Sequence, residues 1–333
     1  MTEAQKPFSV LVTRAIPEAG LKLLQAECRV TMNPEDRPLT RPELLSLAAE
    51  ADGVIGLLTE KIDAAFFDSA KRVRAYANYA VGIDNISLAE ATKRGVGVSN
   101  TPGVLTDATA EMAWALLFAV CRRVVESDAA MRSGRWAGWA PLHFIGSGVS
   151  GKTLGIVGAG RIGTAMALKG RGFGMKVLYH NRGRNEVLER ELSARKVGFD
   201  ELLAESDFIS IHTPLTAETR HLFDAKALSA MKKTAYLINT ARGPVIDENA
   251  LVKALQEGWI AGAGLDVYEN EPRMADGLAG LSNAALAAHT GSATAGARSG
   301  MATLAAENLL AMLHGRPGPT CLNPEVFAKR TEN

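Results

Sequence analysis

Three charged side chains in the C-terminal half of the sequence are of the types that act on a carbonyl group beside a carboxylate. Arg242 follows the apolar run TAYLINT, Glu271 follows GAGLDVY, and His289 follows AALAA. A histidine can give a proton to the carbonyl oxygen, a carboxylate keeps that histidine protonated, and a guanidinium holds the substrate carboxylate. Taken singly, each has a structural reading, as a surface arginine, a packed histidine or a glutamate at a turn. Their shared position after predicted strands favours a site, because parallel strands end at one edge of a sheet.

A glycine-rich turn supplies a nucleotide-binding element upstream of these residues. Gly158, Gly160 and Gly163 form a GxGxxG pattern between the strand TLGIVG and a helix that begins near Arg161. The first glycine allows the tight turn, the second allows close approach of a pyrophosphate, and the third allows helix and strand to pack closely. With the three charged residues, this turn predicts hydride transfer between a nicotinamide cofactor and a 2-oxo acid.

The stretch LYHNRGRN, residues 178–185, indicates which nicotinamide cofactor is preferred. A site for NAD usually places Asp or Glu here to bind the ribose hydroxyls, but this chain has no acid before Glu186. Arg182 and Arg184 stand there instead, and guanidinium groups bind a 2′-phosphate that a carboxylate would repel. The pattern favours NADPH, with NADH possible; the alternative is that both arginines are solvated loop residues.

The secondary-structure pattern alternates strands with helices in two series. Strands are predicted at 9–14, 28–32, 53–58, 73–80 and 95–100, then at 153–158, 175–181, 207–213, 234–240, 262–268 and 284–289. Helices are predicted at 17–24, 42–50 and 63–72, as one long helix from Thr106 or Asp107 through Arg132, from starts near Arg161, Glu186, Asp224 and Asp247, and at 294–315. Such alternation predicts an α/β protein with two doubly wound parallel sheets.

Composition narrows the function classes. A net charge of +1 over 333 residues gives no electrostatic reason to expect nucleic acid or a membrane as a partner. Cys28, Cys121 and Cys321 are far apart and form no CxxC pair, which suits a reducing compartment, and no metal site is predicted. The start MTEAQKPFSV has no secretory pattern, and the apolar run Met112–Cys121 is too short to span a bilayer. We expect a soluble cytoplasmic protein.

Several longer segments resemble those of the D-2-hydroxyacid dehydrogenases, and within them the bacterial glyoxylate/hydroxypyruvate reductases. They are YAVGIDNISL, NTPGVLTDATAE, GKTLGIVGAGRIG, ESDFISIHTPLT, NTARGPVIDENAL, AGLDVYENEP and HTGSAT. The resemblance implies a Rossmann cofactor domain with a dimerisation arm, residues 102–288, inserted in a flavodoxin-like substrate domain, residues 1–101 and 289–333. It also implies a homodimer with the active site in the cleft.

The resemblance assigns roles to individual residues. His289 is the proton donor paired with Glu271, and Arg242 binds the substrate carboxylate. The other implied substrate-binding residues are Leu57, Val81, Gly82, Trp139 and Ser292. The implied cofactor-binding residues are Thr106, Gly158, Gly160, Arg161, Ile162, Gly163, Asn181, Arg182, Arg184, Thr213, Pro214, Thr240, Ala241, Asp266, His289 and Gly291. His212 ends a predicted strand beside Thr213, which places it near the cofactor as well.

The activity implied is reduction of glyoxylate or hydroxypyruvate to glycolate or D-glycerate. Two departures from the family pattern flank the histidine: Ala288 replaces a common proline, which could loosen the turn, and Thr290 replaces a common Ile or Val. Reduction of 2-ketogluconate or another 2-keto acid is an alternative within the family. A dinucleotide-sensing corepressor, which shares the fold and can retain the three charged residues, is an alternative of another class.

Overall fold

The computed structural model describes residues 6–328, and the chain folds into two units. The first unit combines Met1–Leu105 with Ala293–Asn333, and the second is Thr106–Ser292. The sequence predicted boundaries after residues 101 and 288, a few residues before the observed ones, which follow Leu105 and Ser292. The second unit is thus inserted between the two segments of the first.

A five-stranded parallel sheet forms the centre of the first unit. Its strands are β1 (Phe8–Val12), β2 (Cys28–Met32), β3 (Gly53–Gly56), β4 (Ala75–Asn78) and β5 (Gly97–Ser99). Their order across the sheet is β2-β1-β3-β4-β5, and every pair is parallel. Each strand overlaps a predicted one, and the order is the flavodoxin-like one. β3 and β4 are buried at every position, as strands covered by helices on both faces should be.

Four α-helices lie in residues 6–105 of the first unit. They are α1 (Glu18–Glu27), α2 (Arg41–Ala49), α3 (Ala64–Ser69) and α4 (Leu88–Lys93). Local sequence explains two of the starts: Thr40 and Glu43 form a capping box on α2, and the Asp63 side chain accepts the Phe66 N–H on α3. The short helix α4 was not predicted.

A seven-stranded parallel sheet forms the centre of the second unit. Its strands are β6 (Thr153–Val157), β7 (Lys176–His180), β8 (Arg195–Lys196), β9 (Phe208–Ile211), β10 (Tyr236–Asn239), β11 (Gly262–Leu265) and β12 (Ala284–Leu286). The order is β12-β11-β10-β9-β6-β7-β8, with all neighbours parallel. This is the doubly wound Rossmann arrangement, with its switch point beside β6. The two-residue edge strand β8 is exposed and was not predicted.

Seven α-helices lie in the second unit. They are α5 (Thr106–Cys121), α6 (Val124–Arg132), α7 (Arg161–Lys169), α8 (Glu186–Leu192), α9 (Phe199–Glu205), α10 (Ala225–Ala230) and α11 (Glu248–Gln256). Helices near Arg161, Glu186, Asp224 and Asp247 were predicted and are confirmed. Asp224 and Asp247 are themselves the N-caps, each accepting a main-chain N–H from three residues further on. The short helix α9 was missed.

The prediction of one long helix through Arg132 was wrong. The helix ends at Cys121, and Arg123 takes a left-handed conformation with φ 54° before α6 begins. The Arg123 guanidinium pairs with Glu126 in the first turn of α6, at 2.5 Å from Nε to Oε2. Burial changes at the same point, since α5 is largely buried whereas Val124 and Val125 are half exposed.

The chain then returns to the first unit through α12 (Ala295–Leu313) and ends its described part with α13 (Glu325–Ala328). The predicted C-terminal helix is confirmed as α12, which packs against α1 and β4. The Thr294 side chain caps α12 by accepting the Ala297 N–H. Within residues 6–328, no helix has the length and apolarity needed to cross a membrane.

Candidate active site

The glycine-rich turn has the geometry of a dinucleotide cradle. β6 ends directly before Gly158, whose φ of 93° is readily available only to glycine. A Cβ added at Gly163 would lie 2.2 Å from the Gly158 carbonyl oxygen, so helix α7 approaches the turn as closely as a glycine permits. No heavy atom lies within 4 Å of a Cβ built on Gly160, the N-cap of α7. Arg161 and Ile162 begin α7, so their N–H groups stand where an anion is stabilised.

The two arginines of the basic loop after β7 differ in their ion pairing within the part of the chain that the structure describes. The Arg184 guanidinium lies 2.5 Å from Glu189 Oε2, and its side chain is 75% exposed. Among residues 6–328 the Arg182 guanidinium has no carboxylate within 4 Å, and its carbonyl oxygen accepts a hydrogen bond from Lys196 Nζ at 2.8 Å. Arg182 is therefore the arginine available to an added phosphate, whereas Arg184 must share with Glu189.

A polar residue that sequence reasoning missed anchors this loop to the glycine turn. Asn185 Nδ2 donates to the Ala159 carbonyl oxygen at 2.9 Å and to Thr164 Oγ1 at 2.8 Å. Its Oδ1 accepts the Leu188 N–H and so caps α8. An asparagine directly before a helix was the available signal. The neighbouring Asn181 side chain turns back to the Gly183 carbonyl oxygen at 3.2 Å.

His212 lies at the end of β9, as predicted, but it cannot act as an acid. Its Nε2 lies 2.8 Å from Ser210 Oγ, and loss of hydration lowers the pKa of His212 to about 3. The ring is therefore neutral at physiological pH. Thr213 and Pro214 follow it at the same edge of the sheet.

Thr240 is a second candidate contact for a bound cofactor. Its Oγ1 is buried and has no hydrogen-bond partner among the described residues. Buried hydroxyl groups are normally paired, so an orphaned one beside the glycine turn's sheet edge fits a ligand contact. Ala241 follows it, with its N–H bound to Asn239 Oδ1 at 3.0 Å. Thr106, a further predicted cofactor residue, begins α5 in the same unit.

Glu271 and His289 form a hydrogen-bonded pair. His289 Nδ1 lies 2.9 Å from Glu271 Oε2, and the other carboxylate oxygen accepts the Tyr268 N–H at 3.1 Å. Burial opposes ionisation of Glu271, but the hydrogen bond from His289 and the charges of His289 and Arg242 outweigh it and lower the pKa of Glu271. Among the described residues nothing hydrogen-bonds His289 Nε2. Since Nδ1 is engaged with Glu271, Nε2 is the ring nitrogen that can donate a proton to a substrate.

Asp266 holds the loop that carries His289. Its Oδ1 and Oδ2 accept the N–H groups of Thr290 and Gly291, both at 2.7 Å, and its carbonyl oxygen accepts the His289 N–H at 2.9 Å. The Thr290 hydroxyl also donates a hydrogen bond to Oδ1 at 3.2 Å. The Ile or Val that is common at this position in the family has no hydroxyl and could not make this bond. The loop is thus anchored although residue 288 is Ala. Both carboxylate oxygens of Asp266, predicted to contact the cofactor, are already engaged.

Arg242 lies at the same edge of the second sheet as this pair. Its carbonyl oxygen accepts Asn239 Nδ2 at 2.9 Å, and its Nη1 donates to the Ala241 carbonyl oxygen at 2.8 Å. Its charge contributes to the lowered pKa of Glu271. The structure thus brings together Arg242, Glu271 and His289, which are separated by up to 47 positions in the chain.

The first unit carries an element suited to a carboxylate. The Val81 carbonyl oxygen accepts Asn100 Nδ2 at 2.7 Å, and the Gly82 carbonyl oxygen accepts Asn78 Nδ2 at 2.8 Å. Among residues 6–328 no acceptor takes the main-chain N–H groups of Val81 and Gly82. Successive main-chain N–H groups without a protein acceptor are the donors that anion-binding turns use. Leu57, at the end of β3 in this unit, gives its N–H to the Glu60 carboxylate.

The remaining predicted site residues are less constrained. Ser292 closes the second unit behind Gly291 and is partly buried. Trp139, in the loop after α6, is 85% exposed. Among the described residues no group of three or more His, Cys, Asp or Glu could hold a metal ion.

A Rossmann sheet, a glycine cradle at its switch point and a histidine–carboxylate pair beside an arginine together define an NAD(P)-dependent oxidoreductase. Comparison with known proteins identifies the family. Residues 114–291 match the D-isomer specific 2-hydroxyacid dehydrogenase, NAD binding domain. The chain belongs to the D-2-hydroxyacid dehydrogenase family.

Individual relatives are similar over almost the whole chain. The glyoxylate reductase of Thermococcus litoralis is 52% identical over 322 residues, which cover 96% of this chain and 97% of the relative. A glyoxylate reductase structure from Paecilomyes thermophila is 34% identical with a TM-score of 0.85, covering 96% of this chain and 98% of that one. The NADPH-dependent glyoxylate/hydroxypyruvate reductase of Sinorhizobium meliloti, solved with NADP and malonate, is 31% identical with a TM-score of 0.83, covering 95% and 97%.

Proposed function

We propose that the chain reduces glyoxylate and hydroxypyruvate to glycolate and D-glycerate and prefers NADPH to NADH. The observation that carries the proposal is the Glu271–His289 pair beside Arg242 at the edge of the Rossmann sheet. The relatives support the substrate class, since Thermococcus litoralis has a glyoxylate reductase and Sinorhizobium meliloti a glyoxylate/hydroxypyruvate reductase.

His289 is the proton donor in this proposal. Because Nδ1 faces the Glu271 carboxylate at 2.9 Å, that nitrogen carries a hydrogen and Nε2 is the atom that protonates the developing alkoxide. The hydrogen bond and the charge of His289 lower the pKa of Glu271, so the carboxylate stays ionised beside Nδ1. When bound, the nicotinamide supplies the hydride for the carbonyl carbon.

Each unit has a group that is proposed to bind the substrate carboxylate. In the second unit this is the Arg242 guanidinium, a charged and bidentate partner, and in the first unit it is the pair of uncharged N–H donors of Val81 and Gly82. Leu57 and Ser292 are proposed to line the substrate site. The first unit is thus proposed as the substrate domain and the second as the cofactor domain.

Cofactor binding is proposed to follow the chemistry of the second unit. Gly158, Gly160, Arg161, Ile162 and Gly163 would hold the pyrophosphate. The dinucleotide would also contact Thr106, Asn181, His212, Thr213, Pro214, Thr240, Ala241 and Gly291. Arg182, and in part Arg184, would bind the 2′-phosphate. The engagement of Asp266 with Thr290 and Gly291 favours a positioning role for its carboxylate over a direct cofactor contact.

A homodimer is proposed because the arm after α5 exposes apolar side chains that a second copy would cover. They are Val124, Val125, Met131, Trp136, Trp139, Leu142 and Ile145. Beside them lies a groove of about 680 Å³ whose walls include Trp136, Phe144 and Leu281. Contiguous exposed apolar surface marks an interaction site. Trp139 is proposed to reach the neighbouring subunit's substrate site.

A substrate–cofactor panel tests the proposal. NADPH and NADH would each be combined with glyoxylate, hydroxypyruvate, pyruvate, phosphohydroxypyruvate and 2-ketogluconate, and oxidation followed by absorbance of the reduced nicotinamide. The proposal expects the highest kcat/KM with glyoxylate or hydroxypyruvate and NADPH. A preference for 2-ketogluconate would assign a different substrate. Saturable cofactor binding without turnover would favour a sensor.

A further inference from the structure

A buried carboxylate to which the proposed function gives no role lies at the carboxyl edge of the first unit's sheet. Glu60 is only 4% exposed, and no Lys, Arg or His among the described residues pairs with it. Its Oε2 accepts the Leu57 N–H, and its Oε1 accepts the hydroxyl of the fully buried Thr13 at 3.0 Å. Thr59 Oγ1 donates to the same Oε1 at 3.3 Å. Glu60 thereby ties the loop after β3 to the end of β1.

The Asn85 side chain joins the same loop after β3 to the end of β4. Its Nδ2 donates to the carbonyl oxygens of Leu57 and Glu60, at 3.1 Å and 3.0 Å. Its Oδ1 accepts Asn78 Nδ2 at 3.3 Å, and its carbonyl oxygen accepts the Ile62 N–H at 2.8 Å. Every polar group of the Asn85 side chain is therefore used to join the β3 loop to the end of β4.

Asn78 links Asn85 by hydrogen bonds to the segment that contains Val81 and Gly82. It is fully buried at the end of β4, and its Nδ2 donates to the Gly82 carbonyl oxygen at 2.8 Å. The two preceding carbonyl oxygens are also anchored: that of Ala80 accepts the Thr101 N–H at 2.9 Å, and that of Val81 accepts Asn100 Nδ2 at 2.7 Å. Three consecutive carbonyl groups are thus fixed by the protein.

Anchoring the carbonyl groups fixes the direction of the N–H groups. In a trans peptide the C=O and the N–H of the same unit point in opposite directions. The bond to the Ala80 oxygen therefore aims the Val81 N–H, and the bond to the Val81 oxygen aims the Gly82 N–H. The bond from Asn78 to the Gly82 oxygen fixes the following peptide unit, so Gly82 lies between two fixed peptide units. The N–H groups of Val81 and Gly82 form a carboxylate cradle whose shape depends on these three anchors.

We infer that Glu60 and Asn85 are positioning residues for the carboxylate cradle formed by the Val81 and Gly82 N–H groups. Asn85 acts through Asn78, whose bond to the Gly82 carbonyl oxygen fixes the peptide unit that follows the cradle, and Glu60 acts through the loop after β3, which Asn85 binds. The inference rests on the proposed function for the claim that this cradle binds the substrate carboxylate. It assigns to a buried network, distant in sequence from Arg242 and His289, a share in the affinity for the 2-oxo acid.

The chemistry of Glu60 suits this role. Its Oε2 accepts the Leu57 N–H, and its Oε1 accepts the hydroxyl groups of Thr13 and Thr59. Because a main-chain N–H can only donate, the atom at the Oε2 position must be an acceptor. A glutamine can keep one oxygen toward Leu57 and turn its NH₂ to Thr13, whose hydroxyl can also accept. Glu60→Gln should therefore preserve the connection in large part, whereas Glu60→Ala removes it.

The test compares Asn85→Ala and Glu60→Ala with a matched control, Asn323→Ala. Asn323 is a buried asparagine of the same unit that binds the Val98 N–H, the Val96 carbonyl oxygen and Thr92 Oγ1 at 2.8–2.9 Å. With saturating NADPH, we expect KM for glyoxylate to rise about tenfold in both test variants, the loss of about one charge-assisted hydrogen bond. We expect kcat and the Kd for NADPH to change less than about threefold. Glu60→Gln should recover most of the KM, and the control should leave KM unchanged at a comparable loss of Tm.

Amide hydrogen exchange gives a readout that does not need turnover. Exchange in residues 79–86 should accelerate in Asn85→Ala and Glu60→Ala but not in Asn323→Ala, because local opening governs exchange. Unchanged exchange and unchanged KM in folded test variants would overturn the inference, as would an equal rise of KM in the control. If the wild type reduced no 2-oxo acid, the proposed function would fail, and the exchange result would still decide whether these residues hold the cradle.

Discussion

Replacing Arg182 by alanine should weaken NADPH binding without affecting NADH. Arg182 is exposed on the loop after β7, and among the described residues its guanidinium has no carboxylate within 4 Å. Lys196 Nζ holds its carbonyl oxygen at 2.8 Å, so the loop position does not depend on the arginine side chain. Among the described residues the substitution therefore breaks no hydrogen bond or ion pair of the side chain, although the charge of Arg182 contributes to the lowered pKa of Glu218. NADH lacks the 2′-phosphate and offers nothing for that charge to bind.

The magnitude follows from the exposure of the site. A charge-assisted hydrogen bond is worth ~1.5–3 kcal/mol, or about ten- to a hundredfold in Kd. Solvent and salt screen an exposed arginine, so we expect the lower value, about a tenfold rise in Kd for NADPH. Arg184→Ala should cost less, about threefold, because Arg184 must divide its interaction between the phosphate and Glu189.

The assay is fluorescence titration of NADPH and NADH at low and high salt, with kcat/KM measured for both. Arg195→Ala is the matched control, since Arg195 lies on the neighbouring strand β8 and pairs with Glu201 and Glu205 at 3.2 Å and 3.0 Å. The control should leave both cofactors unaffected. The NADPH loss in Arg182→Ala should shrink at high salt. Equal losses for NADPH and NADH would refute the reasoning and assign the arginine to folding or to the pyrophosphate.

Four further substitutions test the catalytic assignments. His289→Ala should lower kcat by ~10²–10⁴-fold with little change in NADPH affinity, and near wild-type turnover across the pH range would remove His289 from the mechanism. Glu271→Gln should move the alkaline limb of the kcat/KM profile to lower pH, because the neutral amide removes the charge coupling with His289 that lowers the pKa of Glu271; an unmoved profile would make Glu271 structural. Arg242→Lys should lower kcat/KM for every 2-oxo acid and spare cofactor binding, since an ammonium lacks the bidentate grip; weaker NADPH binding alone would place Arg242 at the cofactor. Trp139→Ala should change the ratio of activities on small and bulky 2-oxo acids, whereas an altered dimer constant with an unchanged ratio would make it an interface anchor.

Local patterns in the sequence determined the architecture of both units. Alternating apolar strands and helices predicted two parallel α/β sheets, and each of the eleven predicted strands corresponds to an observed one. The glycine spacing located the strand-to-helix turn at Gly158, because that conformation is available to few other residues. The positions of Arg242, Glu271 and His289 after strands predicted their proximity, since the carboxyl ends of parallel strands share one edge.

Partnerships between distant side chains were decided only by the tertiary structure. Glu60 accepts a hydrogen bond from Thr13, 47 positions away in the chain, and both carboxylate oxygens of Asp266 accept hydrogen bonds from the loop after β12. No pattern of neighbouring residues in the sequence predicts either contact. The neutral state of His212 likewise comes from the desolvation that the assembled unit imposes. Sequence spacing encodes the conformation of neighbouring residues, whereas hydrogen-bond partners and hydration depend on which segments the completed fold brings into contact.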